Sequence, residues 1–274
     1  MLIVVGLGVS LEFSTRISLE ILRKCDEVLV DSYTSFWYPS ISTLMDLLNA
    51  MGIRARLCKR SDLEGRAISE IANKARSKNV CIVVPGDPFF ATTHAAIVAE
   101  AKRSGAKVVV IPGVSILNFV YAYTCLQPYR FGKIATVVAP KEGVFFDYPI
   151  TVVKENRDRN LHTVLLLEID FEKGFFMAPR QAIEILLKAQ ERLGVQVLSK
   201  DDRVFVLSAI GSPKECVEYT SIDSILNESN QCRDPPATLV IPARRLHPIE
   251  EECIESMHIK KLLTNPLNLL DAST

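Results

Sequence analysis

The segment Pro85-Gly86-Asp87-Pro88-Phe89-Phe90-Ala91-Thr92-Thr93-His94 places a carboxylate between a glycine and a proline, directly after the apolar run Val80 to Val84. Gly86 accepts backbone angles barred to other residues and Pro88 fixes the next step, so this loop can hold Asp87 and its neighbouring peptide groups toward a ligand. The competing reading is a type I or II turn in which Asp87 is satisfied internally, with Thr92 and Thr93 as helix caps. Gly6-Leu7-Gly8-Val9-Ser10-Leu11 begins like a dinucleotide fingerprint, but Leu11 stands where the third glycine belongs, and no G-x-x-x-x-G-K-[ST] occurs. Two glycines after a strand either admit a small molecule to the backbone at the carboxyl edge of a parallel sheet or make a plain tight turn.

Other chemistries find less support. His94, His162, His247 and His258 are scattered; His247 and Glu251 lie one helical turn apart but lack a third ligand, so no metal is expected. There is no G-x-S-x-G element and no Cys and His pair to single out for covalent catalysis. Tyr33, Phe36, Trp37 and Tyr38 either form a cage for a quaternary ammonium group or pack a core or subunit contact.

Around these segments the chain alternates. Leu2 to Val5, Val28 to Val30, Ala55 to Leu57, Val80 to Val84 and Lys107 to Ile111 read as strands, separated by helical patterns such as Ile17-Ile21-Cys25 and Ile41-Leu44-Met45-Leu48. Ser61 and Glu64 fit a capping box ahead of the helical face Ala67-Ile68-Ile71-Ala72-Ala75. This is an α/β pattern that implies a mostly parallel, helix-flanked sheet. A domain boundary is expected at Pro112-Gly113, giving an N-terminal α/β domain over 1–112 and a mixed α+β domain over 113–274. The second contains strands at Ile134 to Ala139, Thr163 to Leu167, Val204 to Ala209 and Leu239 to Ile241. Helices are expected over Ser115 to Leu126, Ile150 to Arg159, Ala182 to Leu193 and His247 to Met257, a turn at Gly211-Ser212-Pro213, and a loose tail from Asn265 to Thr274.

The 274 residues carry 32 Lys and Arg against 32 Asp and Glu, so the formal charge is zero and nothing gathers polyanions; nucleic acid is not the expected partner. No apolar run approaches the roughly 20 residues of a membrane span, and no basic leader precedes the first strand, which points to a cytoplasmic protein. The seven cysteines show no C-x-x-C pair and read as mostly buried thiols, with one or two stabilising bridges left open.

Taken together, Gly6-Leu7-Gly8, Asp31-Ser32-Tyr33-Thr34-Ser35, Pro85-Gly86-Asp87-Pro88 with Ala91-Thr92-Thr93-His94, Lys154-Glu155-Asn156, Leu161-His162-Thr163 and Asp234-Pro235-Pro236 resemble the diphthine synthases of the tetrapyrrole methylase superfamily, in order and over nearly the whole chain. The resemblance implies a two-domain, homodimeric methyltransferase that uses S-adenosylmethionine to methylate the amino group of a modified histidine on translation elongation factor 2, in diphthamide biosynthesis. The short chain is compatible with an archaeal, trimethylating member. Carried over by position, the cofactor contacts fall on Val9, Asp87, Phe90, Ser115, Ile116, Leu167, Ile210 and Ala237. Relatives often have histidine at the Ala237 position; a main-chain contact survives that change and a side-chain contact does not.

Two other readings remain. A tetrapyrrole methylase acting on ring carbons of a precorrin would use the same cofactor, but the Ala-Thr-Thr-His and Leu-His-Thr elements and the lack of an acid at Ser10 speak against it. A non-catalytic binding module would keep the cleft without turnover. The methyl-donor reading requires the glycine bend after the first strand and the Asp87 turn to face one another across a space shaped for adenosine and a sulfonium.

Overall fold

The structure, a computed structural model, describes residues 1–256. The chain divides into two compact units, Met1–Ile116 and the part from Leu117 onward.

In the first unit β1 (Leu2–Gly6), α1 (Arg16–Leu22), β2 (Glu27–Asp31), α2 (Ile41–Ala50), β3 (Ala55–Cys58), α3 (Arg60–Leu63), α4 (Ala67–Lys74), β4 (Val80–Val84), α5 (Ala95–Arg103) and β5 (Val108–Ile111) follow in order. The strands form one sheet in the order β3-β2-β4-β1-β5, and every pairing is parallel. Period-two alternation assigns the faces. Leu2, Val4, Leu29, Val80 and Ile82 pack with Ile71 and Ala72 of α4 and Ile97 and Ala101 of α5. Ile3, Val5, Val28, Val30, Cys81 and Val83 pack with Leu22 of α1 and Leu44 and Leu48 of α2. Both sheet faces are covered, which is why the strands read as continuous apolar runs. The chain leaves β1 toward β2 but leaves β4 toward β5, so a topological switch point lies between β1 and β4, where open α/β sheets bind ligands.

The second unit begins with α6 (Ile116–Tyr123), whose first residue closes the first unit. It continues through β6 (Ala135–Val137), α7 (Tyr148–Asp158), β7 (Thr163–Leu167), β8 (Ile169–Asp170), β9 (Phe175–Phe176), α8 (Pro179–Leu193), β10 (Arg203–Ser208), β11 (Cys216–Ser221), α9 (Ile222–Leu226), β12 (Ala237–Ile241) and α10 (Pro248–Ser256). Its main sheet runs β11-β10-β12-β7-β6, antiparallel except for β6 on β7. The Gly211-Ser212-Pro213 turn joins the antiparallel strands β10 and β11. Val152, Val153, Ile183, Leu186 and Ile225 bury one face of the sheet.

Three local expectations change. The Ser61–Glu64 capping box does not form: Lys59 N–H donates to Asp62 Oδ2 at 2.8 Å, and α4 starts after Arg66 with no side-chain cap. Glu64 is extended and its carboxylate is engaged by other segments, so tertiary partners win over the local pattern. Thr92 and Thr93 do not cap α5 either; the residue before that helix is His94, and it makes no side-chain cap. Four of the seven cysteines are paired, Cys125 with Cys253 and Cys216 with Cys232, leaving Cys25, Cys58 and Cys81 as thiols. The pairs join residues that only strand order and the placement of α10 bring together. Met257, His258 and the Asn265–Thr274 tail lie outside the described residues. Among the described residues, no helix is long and apolar enough to cross a membrane.

Candidate functional site

The first cluster is built on the carboxyl ends of β1, β4 and β5. Leu7 N–H donates to Val84 O at 3.0 Å; Gly8 and Gly86 then exchange N–H···O bonds of 3.3 and 2.8 Å. The glycine bend and the Asp87 turn therefore share one sheet edge, but the crevice expected between them is absent: the two bends are joined directly by main chain, and what the expectation keeps is only that they lie on the same edge. Two glycines allow this approach. A Cβ on Gly6 would lie 2.4 Å from Gly86 O, and one on Gly113 would lie 2.0 Å from the same oxygen. Gly86 itself has φ +72°, which L side chains rarely adopt.

Asp87 is half-buried and ties the cluster together. Its Oδ1 accepts Phe89 N–H at 2.9 Å and its Oδ2 accepts Gly113 N–H at 3.2 Å. The internally satisfied turn is thus present, with a cross-link to the next strand end added to it. Each carboxylate oxygen keeps acceptor capacity beyond these bonds. Phe90 N–H donates to Asp87 O at 3.3 Å, and Phe90 and Val9 are half-buried. Ser115 is buried and Ile116 half-buried just past Gly113. Ser10, next to Val9, is 2% exposed, and its Oγ meets no hydrogen-bond partner among the described residues.

The second cluster lies at one edge of the second unit's sheet. Leu167 ends β7, Ala237 opens the antiparallel β12, and Ile210 follows β10; Ser208 pairs with Ala237, and Thr238 with Leu166. All three residues are buried. Pro235-Pro236 is a cis bond, Ala209 N–H donates to Pro236 O at 2.9 Å, and Ser208 Oγ donates to Asp234 O. The Asp-Pro-Pro motif therefore sets where β12 begins.

The remaining motifs anchor the other end of β7. Asn156 Nδ2 donates to Lys133 O at 2.8 Å and to Thr163 Oγ1 at 2.9 Å. His162, fully buried, accepts Ala243 N–H at Nδ1 (2.9 Å) and donates from Nε2 to Glu250 Oε1 (3.1 Å). Burial holds the His162 pKa below its ordinary value, against the pull of Glu250. Burial would raise the Glu250 carboxyl, but N–H groups of His247 and Gln127 together with His162 hold it below the usual range, and Arg130 adds an ion pair. Glu250 carried no sequence signal, because its partners other than His247 lie 88 to 123 residues away. The aromatic segment packs: Tyr33 and Trp37 are buried, and Trp37 Nε1 donates to Asp31 O at 2.7 Å. Gly113 did carry a signal, since Pro85-Gly86 and Pro112-Gly113 repeat one dipeptide at the ends of β4 and β5.

Residues 1–226 match the family described as Tetrapyrrole (Corrin/Porphyrin) Methylases. Over 257 residues the chain is 35% identical to a diphthine synthase of Pyrobaculum aerophilum, covering 94% of this chain and 97% of that one. The chain belongs to the diphthine synthase family. A diphthine synthase of Staphylothermus marinus is 38% identical over 261 residues, covering 94% and 92% of the two chains. A crystal structure of a diphthine synthase superposes with a TM-score of 0.80 at 33% identity, covering 93% of this chain and 95% of that one. With the diphthine synthases, the chain is an S-adenosylmethionine-dependent methyltransferase of the tetrapyrrole methylase fold, and the precorrin alternative is not favoured.

Proposed function

We propose that the protein methylates the amino group of the modified histidine of translation elongation factor 2, taking methyl groups from S-adenosylmethionine, as a cytoplasmic homodimer. The observation that carries the donor site is the Asp87 cross-link to Gly113 beside the Gly8–Gly86 bridge, at the sheet's switch point. Val9, Asp87, Phe90, Ser115 and Ile116 are the donor contacts proposed in the first unit, and Leu167, Ile210 and Ala237 those proposed in the second.

The residues present suit that donor. The Ser10 hydroxyl, without a hydrogen-bond partner among the described residues, offers a buried polar group for a ligand to satisfy, and the Asp87 carboxylate complements a cation or accepts from sugar hydroxyls. Ala237 contributes main chain only, so no side-chain contact of the kind histidine would make is proposed there. S-adenosylmethionine supplies an electrophilic methyl group on a sulfonium, so no protein nucleophile is needed. The protein's contribution is placement: a rigid sheet edge orients donor and acceptor in line, which converts an encounter into an effectively unimolecular step. Each transfer to the amine also requires loss of a proton before the next.

The test is incubation with radiolabelled S-adenosylmethionine and elongation factor 2 from a strain lacking this activity. Label confined to the modified histidine is expected. Label absent from the factor, or methyl transfer to free histidine derivatives at comparable efficiency, would refute the reading.

A further inference from the structure

The segment from Pro85 to His94 is held at both ends. Its near end is fixed by the Gly8–Gly86 bridge and the Asp87–Gly113 bond. Its far end meets the turn after β2 through two separate contacts. His94 Nε2 lies 3.2 Å from Asp31 Oδ2, and neither residue is exposed. Asp31 also accepts Tyr33 N–H at 2.8 Å, Thr34 N–H at 3.0 Å and Thr34 Oγ1–H at 2.9 Å, so it fixes the turn that presents it. The second contact runs through Glu64, whose Oε1 accepts from Tyr33 Oη at 3.2 Å and from Thr93 Oγ1 at 2.8 Å.

A buried acid–imidazole pair adds little net stability over apolar residues of the same volume, and its attested use is to specify one arrangement. Neither ring nitrogen of His94 makes a hydrogen bond among the described residues, Nε2 standing against Asp31 as a close contact only, and an apolar side chain would have avoided both orphaned atoms. What the pair specifies here is the distance between the β2 turn and the loop that carries Asp87 and Phe90. We propose that Asp31, Tyr33, Glu64, Thr93 and His94 are positioning residues for methyl-donor binding: they clamp the far end of the 85–94 loop so that the Asp87–Phe90 main chain holds its binding conformation. This rests on the donor site proposed above.

The test measures S-adenosylhomocysteine affinity by calorimetry on the full chain, beside thermal melting. Thr93→Val and Tyr33→Phe each remove one hydroxyl, and each is expected to weaken binding about threefold to tenfold. The double variant should weaken it by less than the product, because both hydroxyls act through Glu64. Donor KM should rise in parallel while acceptor KM stays put, and Thr93→Ser should restore affinity. His94→Gln is expected to have the same effect; should it fail to fold, the hydroxyl variants decide. Unchanged affinity in Thr93→Val and Tyr33→Phe, whatever their melting points, would overturn the clamp and leave the donor site standing. Absence of binding by the unaltered protein would instead remove the donor site, and the clamp with it.

Discussion

Asp87 Oδ2 accepts the N–H of Gly113 at 3.2 Å, a bond that joins the turn after β4 to the turn after β5 across the intervening strand β1. One carboxylate thereby holds two of the three strand ends on which the first cluster stands. It also makes Asp87 responsible for the shape of the site as well as for its charge.

Asp87→Ala removes both acceptors, leaving the N–H groups of Phe89 and Gly113 without this partner. Binding of S-adenosylmethionine should weaken about tenfold to a hundredfold, as for loss of charge-assisted hydrogen bonds. Asp87→Asn keeps one acceptor and should fall between. Titration calorimetry reads both, and wild-type affinity in Asp87→Ala would count decisively against the proposed role.

Gly113→Ala tests the backbone approach. Neither Gly113 nor Gly6 has a left-handed φ, so the effect of a methyl group at either is steric alone. With a peptide oxygen 2.0 Å from the new Cβ and no flexible side chain to give way, the cost should reach about 3 kcal/mol, at the upper end of overpacking. Urea unfolding measures this, and a loss below about 1 kcal/mol would show that the strand ends are free to separate.

His162 gives the second unit a pH dependence. Because its folded pKa lies below 6.5, the folded protein binds fewer protons than the unfolded chain there. Stability is therefore full above pH 6.5 and declines as pH falls toward the folded value. The slope for one proton is at most about 1.4 kcal/mol per pH unit. The depressed Glu250 adds a further decline below 4.5. Urea midpoints between pH 7.5 and about 5 should fall in the unaltered protein and flatten in His162→Gln; equal slopes would assign the dependence to other groups.

The disulfides should contribute unequally. Cys216–Cys232 closes a separation of 16 residues and Cys125–Cys253 one of 128, so chain entropy predicts roughly 3 kcal/mol for the first and about 5 for the second. Unfolding with and without reductant, and in Cys216→Ser and Cys125→Ser, checks the order. No change on reduction would mean the pairs contribute nothing measurable.

What the sequence makes legible follows from which interactions are local. Leu2 and Val4 pack on one face of the parallel sheet and Ile3 and Val5 on the other, so an unbroken apolar run was enough to mark a strand covered on both sides. Punctuation by Pro85-Gly86 located the Asp87 turn without any structure. The partner of Asp87 was not legible, since β5 lies two strands from β4 and only sheet order brings Gly113 near. Ser61-x-x-Glu64 misled for the same reason: the spacing suits a capping box, but Tyr33 and Thr93, remote in the chain, claim the carboxylate. The two-residue strands β8 and β9 are too short to carry any periodicity.

Amide hydrogen exchange with and without S-adenosylmethionine tests most directly whether this sheet edge holds the methyl donor. Slowed exchange at residues 87, 89, 90, 115 and 116 on addition of the donor is the predicted result. Protection confined to other segments, with those amides exchanging at their unliganded rates, would contradict it.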